Sequence, residues 1–184
     1  SIHRVSVPVV SLGNLTTGGT GKTPVAAFLA QALSRRGCAP AIVSRGYRAD
    51  ASGMNDEALV LEYLCPGVRQ IRNRNRAAGA REAISQGAQA ILLDDGYQHR
   101  RLARDVNILL IDALNPWGYG NLLPRGLLRE SLRGIRRADL VLITRANLVS
   151  RESIAAIRET VLRWAGKVHF VEVGFESQGL INHS

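Results

Sequence analysis

Gly13-Asn14-Leu15-Thr16-Thr17-Gly18-Gly19-Thr20-Gly21-Lys22-Thr23 constrains this chain more than any other stretch. It follows an apolar run, Val7 to Leu12, and opens an apolar-periodic segment from Pro24 to Leu33. A buried strand, a glycine-rich turn and a helix, in that order, are the setting of a phosphate-binding P-loop. The N–H groups of such a turn can wrap an anion at the positive end of the helix. Small residues at Thr17, Gly18, Gly19, Thr20 and Gly21 keep side chains clear of that approach. Lys22 is placed to reach the outer phosphates of a bound nucleotide, and the Thr23 hydroxyl to ligate Mg²⁺. Thr16 stands where the strict pattern has its first glycine. A glycine-rich turn that binds nothing is the alternative, and a Gly-Lys-Thr set between strand and helix argues against it.

The 184 residues suit one domain with a sizeable core. A hydrophobic fraction of 46% argues against disorder. The formal net charge is +9, and Lys22 and Lys167 are the only lysines among 24 basic side chains. A lysine kept at the phosphate position in an arginine-rich chain fits a site that arginine cannot fill. The basic balance suits anionic partners: nucleotide phosphates, a phosphorylated substrate, anionic lipid or nucleic acid. A general preference for arginine as surface cation is the plainer account of most single arginines. Cys38 and Cys65 have no ligand-spaced neighbours and read as structural thiols, not as a disulfide or metal site. No run approaches the ~20 apolar residues of a membrane span. The chain opens on Ser1 close to its first strand, and it is expected to be a piece of a longer protein.

Strand and helix patterns alternate along the chain. Strands are predicted over Val7–Leu12, Ala41–Ser44, Val68–Ile71, Ala90–Leu93, Val106–Ile111, Ala138–Ile143 and Val168–Val173. Helices are predicted over Pro24–Arg36, Asp56–Leu64, Arg76–Gln86 and Ser150–Trp164, with a short one over Leu127–Ile135. The fold class expected is α/β: a P-loop NTPase-like three-layer α/β/α sandwich around a mainly parallel sheet. Residues 1–175 are expected to form the nucleotide-binding catalytic domain, and residues 176–184 to begin a linker to a second α/β domain. Ligands of such folds bind beyond the carboxyl ends of the strands.

The remaining chemistry-bearing residues cluster at those ends. Asp94-Asp95 closes an apolar strand, where a carboxylate can hold Mg²⁺ opposite the P-loop threonine; two exposed acids opening a turn is the other reading. Gln98 and His99, just after them, can order water or phosphate. Asp56 can accept a proton from an attacking hydroxyl, or simply cap its helix. Arg45 with Tyr47, Arg76 and its neighbours, and Arg125 with Arg129 are candidate anion contacts, since a planar guanidinium fork suits phosphate oxygens. Thr144-Arg145 stands where a base can be read.

Together these motifs resemble the tetraacyldisaccharide 4'-kinase family of lipid A biosynthesis. The resemblance rests on Val7 to Pro24, Ser44-Arg45-Gly46-Tyr47, Asp56-Glu57, Asp94-Asp95-Gly96-Tyr97-Gln98-His99 and Leu123-Pro124-Arg125-Gly126-Leu127-Leu128-Arg129-Glu130. Order and spacing agree over nearly the whole chain, and Thr16 is itself usual in the family. The resemblance implies transfer of the ATP γ-phosphate, with Mg²⁺, to the 4'-hydroxyl of a lipid A disaccharide 1-phosphate. It places that reaction at the cytoplasmic face of the bacterial inner membrane, with peripheral contact and no nucleic acid. It carries Lys22 and Thr23 over as phosphate and Mg²⁺ contacts, Asp56 as general base, and Asp94 and Asp95 as metal-site acids. Arg76, Gln98, His99, Arg129 and Glu130 carry over as active-site residues. The chain departs from the family pattern at Asn55, Ala58, Leu127 and Ser131. The family also has an N-terminal membrane-associating helix and a second domain that supplies a histidine to orient the catalytic Asp; this chain is read as lacking both.

Two other functions compete with this one. A regulatory P-loop ATPase or GTPase would hydrolyse nucleotide with no lipid acceptor. A basic nucleic-acid-binding module is disfavoured by the few aromatics and the absence of a recognition motif.

Overall fold

The computed structural model describes residues 2–46 and 56–176. Seven strands form one sheet: β1 (Val9–Gly13), β2 (Pro40–Ser44), β3 (Arg69–Arg72), β4 (Ala90–Leu93), β5 (Val106–Asp112), β6 (Leu140–Thr144) and β7 (His169–Val173). Their order is β3-β2-β4-β1-β5-β6-β7, and every pairing is parallel. Among the described residues four α-helices connect them: α1 (Lys22–Ser34), α2 (Asp56–Leu64), α3 (Arg76–Ser85) and α4 (Arg151–Ala165). Parallel strands need crossovers that cover both faces, which is why the inner strands are largely apolar runs, while the edge strands β3 and β7 carry Arg69, Gln70, Arg72, His169 and Glu172.

Alternation along the strands divides the core into layers. Leu12, Ile42, Leu92, Ile108 and Leu110 pack under α1 and α2. On the opposite face, Ala41, Val43, Ile91 and Leu93 meet the alanines of α3. Leu109, Ile111, Val141 and Ile143 meet Ile154, Ile157 and Val161 of α4 on that same face. The expected three-layer sandwich is therefore what forms. Small side chains set the helix–sheet distance: Ala26, Ala27 and Ala30 of α1 and Ala77, Ala80 and Ala83 of α3 are all buried.

Local signals account for most boundaries. Pro24 sits in the first turn of α1, where no N–H is required. Asn75 caps α3 by accepting from the Ala78 N–H at 3.1 Å, and Ser150 caps α4 by accepting from the Ser153 N–H at 3.3 Å.

One expectation fails. Leu127–Ile135 is not a helix; the helical turn is a 3₁₀ segment displaced to Leu132–Arg137. The reason is competition for backbone groups. The Thr17 N–H donates to Leu127 O at 2.7 Å, and the Arg129 N–H to Leu15 O at 2.7 Å. Leu127 to Arg129 is thereby held extended alongside the phosphate loop. Cys38 and Cys65 are free thiols. Among the described residues no helix is long and apolar enough to cross a membrane.

Candidate active site

The site begins with close packing at the carboxyl end of β1. A Cβ on Gly13 would lie 2.6 Å from Tyr97 Cβ, and one on Gly96 would lie 2.8 Å from Ser11 Oγ. Only glycines allow the β4 turn to come this near, and the Gly96 N–H then donates to Leu12 O at 2.8 Å. The parallel register that sets Ser11 against Leu93 carries Asp94 and Asp95 past the strand end, level with Leu12 and Gly13. Two acids thus arrive beside the loop that opens α1.

That loop forms a cradle. Gly18 and Gly21 adopt positive φ (104° and 80°), which an L side chain resists. Gly21 caps α1 with no side-chain bond, and the N–H groups of Gly21, Lys22 and Thr23 donate to no backbone carbonyl among the described residues. A cavity of about 520 Å³ lies over them, lined by Thr16 to Pro24 with Asp94, Asp95 and Arg129. Free N–H groups, the positive end of a helix dipole and two cations make this an anion site.

Asp95 anchors the cations. Arg129 grips it with both Nη atoms at 2.8 and 2.7 Å, and Lys22 Nζ stands 3.8 Å from its Oδ1. Burial pushes the Asp95 carboxyl up, but the Arg129 hydrogen bonds, with Arg129, Lys22 and Arg76 nearby, hold it below the usual carboxylate range. Its backbone is left-handed, with φ 51°. Asp94 is 6% exposed and faces the same cavity. With the Thr23 hydroxyl it would supply hard oxygen donors of the kind Mg²⁺ takes beside phosphates. The residues present fit that ion.

A second cavity of about 460 Å³ shares Asp95 and Arg129 and is otherwise lined by Arg45, Arg74, Arg76, Gln98 and His99. Arg76 is 3% exposed, and its Nη1 donates to Asn73 O at 3.0 Å. Burial, and then Arg76, Arg104 and Arg101, lower the His99 pKa, so the ring is neutral at pH 7. Gln98 Nε2 bridges Asn14 O at 2.8 Å and Glu130 Oε1 at 2.9 Å. Behind it, Arg137 grips both Glu130 oxygens at 2.7 and 2.8 Å, and its guanidinium lies 4.7 Å from the Tyr97 ring centre. Glu130 therefore backs the site without lining either cavity.

Most of the residues expected from the sequence meet here, with three exceptions. Arg125 is exposed and lines neither cavity. Tyr47 lies outside the described residues. Asp56 is the first residue of α2, and its side chain is likewise outside what is described. Sequence reasoning passed over Asn14, which is fully buried. Its Oδ1 accepts from Lys22 Nζ at 3.2 Å and from Arg129, and its carbonyl accepts from Gln98. A polar side chain two residues after the apolar run of β1 was the available signal. Nor does Arg145 stand free to read a base: it is bound to Asp112 and to the Gly19 carbonyl.

Comparison with known proteins finds a family and a fold. The family model described as tetraacyldisaccharide-1-P 4'-kinase matches residues 1–177. A tetraacyldisaccharide 4'-kinase of Halothermothrix orenii is 40% identical over 179 residues, covering 87% of this chain and 46% of that protein. One from Anaeromyxobacter dehalogenans is 45% identical over 172 residues, covering 84% and 46%. The chain thus spans about half the length of the curated relatives it matches. A crystal structure of the "apo" form of LpxK from Aquifex aeolicus in complex with ATP superposes with TM-score 0.72 at 26% identity, covering 99% of this chain and 76% of that one. The hydrogenase maturation factor HypB of Archaeoglobus fulgidus, at TM-score 0.61 and 10% identity, shares the fold alone.

Proposed function

The chain belongs to the tetraacyldisaccharide-1-P 4'-kinase family, and from that premise we propose that it is the ATP-binding, catalytic part of an enzyme that phosphorylates the 4'-hydroxyl of a lipid A disaccharide 1-phosphate. The observation that carries the reading is the meeting of an open helix N-terminus, Lys22, Thr23, Asp94, Asp95 and Arg129 around one cavity. Phosphoryl transfer asks a protein mainly for position and charge, and this cavity supplies both.

In this reading residues 1–175 are the nucleotide-binding domain, and residues 176–184 lead toward a second α/β domain. The loop N–H groups and Lys22 hold the β- and γ-phosphates of ATP. Thr23 and Asp94, with Asp95, would hold Mg²⁺, which would supply positive charge against the phosphate oxygens. Arg129, kept in line by Asp95 and by Asn14, offers its guanidinium to the transferred phosphoryl group. Arg45 and Arg76, with Gln98 and His99, face the acceptor side, and Arg125 and Tyr47 are assigned to the acceptor on the sequence pattern alone. Glu130 keeps Gln98 and Arg137 in place. Asp56 takes the proton of the 4'-hydroxyl as it attacks. The acceptor is a lipid, so the protein works against the cytoplasmic face of the inner membrane.

The test is transfer of labelled γ-phosphate from ATP to the disaccharide lipid by the complete kinase. Lys22→Ala and Asp56→Ala are each expected to remove most of it, and full turnover by Asp56→Ala would end the assignment of the base. Equal nucleotide hydrolysis with and without the lipid would favour a switch NTPase instead.

A further inference from the structure

A phosphate loop is held by its carbonyl groups as much as it works through its N–H groups, because each peptide plane carries one of each on opposite edges. Two successive carbonyls of this loop are tied to one corner of the sheet. Thr144 Oγ1, fully buried, donates to Thr20 O at 3.0 Å. Arg145 Nη2 donates to Gly19 O at 2.8 Å. The same guanidinium is fixed on its other side by Asp112: Nε reaches Oδ1 at 2.8 Å, and Nη2 reaches Oδ2. Asp112 and Thr144 are register partners at the carboxyl ends of β5 and β6. Arg145 reaches the loop from a left-handed backbone, φ 56°, a conformation that costs energy in a non-glycine residue and persists only where its surroundings hold it.

The consequence lies on the far edge of each plane. Thr20 O shares its peptide with the Gly21 N–H. Drawing that carbonyl toward β6 turns the N–H the other way, and it donates to nothing else among the described residues. The Gly19 plane is fixed in the same manner, and its Thr20 N–H closes on Gly18 O at 3.1 Å. None of Asp112, Thr144 and Arg145 lines the cavity. We propose that these three are positioning residues for the nucleotide: a brace that fixes the Gly19 and Thr20 peptide planes, the first holding the turn in shape and the second aiming the Gly21 amide at the phosphates. The proposal rests on the nucleotide-binding reading of the site.

The experiment titrates MgATP into the chain and its variants, with the thermal midpoint of each recorded without nucleotide. Arg145→Met and Thr144→Val are each expected to weaken MgATP binding by about tenfold, the loss of one well-formed hydrogen bond in a preorganised site. Thr144→Ser, which keeps the hydroxyl, is expected to match the parent. Asp112→Asn should resemble Arg145→Met, and the double variant should be no weaker than either single one, since both act along one path. Midpoints are expected to stay within about 4 °C of the parent. Unchanged affinity in Arg145→Met and Thr144→Val, with or without lowered midpoints, would overturn the brace. A readout that needs no ligand separates this from failure of the nucleotide reading: the backbone amide resonances of Gly19 to Lys22. They are expected to move in Arg145→Met and Thr144→Val and to stay put in Thr144→Ser. Unmoved resonances would overturn the brace even if the parent chain bound no MgATP, a result that would itself count against the nucleotide site.

Discussion

The cradle over Gly21 and the arginine pocket beside it share Asp95 and Arg129 but are built from different material. The cradle is made of backbone: positive-φ glycines, free helix N–H groups and a loop tied down on two flanks, by the Leu127 carbonyl and the Arg129 N–H on one and by Thr144 and Arg145 on the other. The arginine pocket is made of side chains, with Arg45, Arg74 and Arg76 arriving from the ends of β2 and β3 and the start of α3. A backbone site has its shape before the ligand arrives and reads a chemical group that every nucleoside triphosphate carries. A pocket of long side chains reads a particular arrangement of charge, and its members can change one at a time. Substitutions should therefore fail differently in the two places.

The largest effect is expected where the two cavities meet. Asp95→Asn removes the anion that holds Arg129 and Lys22, and phosphoryl transfer by the complete kinase should fall by about 10²-fold or more. A fall confined to the acceptor KM would mean that Asp95 serves only one cavity. In the cradle, a change with no new chemistry should still do harm. Gly13→Ala drives a methyl into Tyr97 and should lower stability by roughly 1–3 kcal/mol, read from denaturant unfolding. In the arginine pocket, Arg45→Met should leave MgATP affinity within about twofold while raising the acceptor KM about tenfold, the loss of one charge-assisted contact. An equal effect on both substrates would erase the distinction drawn above.

The smallest effect concerns acid. His99 is held neutral by burial and by neighbouring arginines, so its folded-state pKa lies below its unfolded one. As pH falls through about 6.5 the unfolded chain takes up this proton before the folded chain does, and stability drops. The depressed Asp95 carboxyl contributes stability that is present in full above about pH 4 and is lost as pH falls below it, a second loss on acidification. Thermal midpoints of parent and His99→Gln should therefore separate only below about pH 6.5. Parallel curves across that range would remove His99 from the account.

Much of this was legible in the sequence, for physical reasons. Gly18 and Gly21 announced the cradle because a backbone site requires particular residues at fixed spacing. Asp94 and Asp95 announced themselves by ending an apolar strand. What stayed hidden depended on contacts distant along the chain. Arg145 meets Gly19 across 126 residues and Arg129 meets Asn14 across 115, and no local pattern marks either pair. The extended run from Leu127 to Arg129 was misread as helix because its hydrogen-bond partners belong to the phosphate loop. Asn14 gave a weak signal, a polar side chain in an apolar setting, whose meaning depends on the two cations that reach it.

The central claim is that Gly13 to Thr23, with Asp94, Asp95 and Arg129, form a nucleotide-binding cradle. Calorimetric titration of MgATP into the chain tests it most directly, with parent and Lys22→Ala side by side. Saturable one-to-one binding by the parent, weakened about 10²-fold or more by Lys22→Ala, is the expected result. Equal binding by both, or none by the parent, would contradict it.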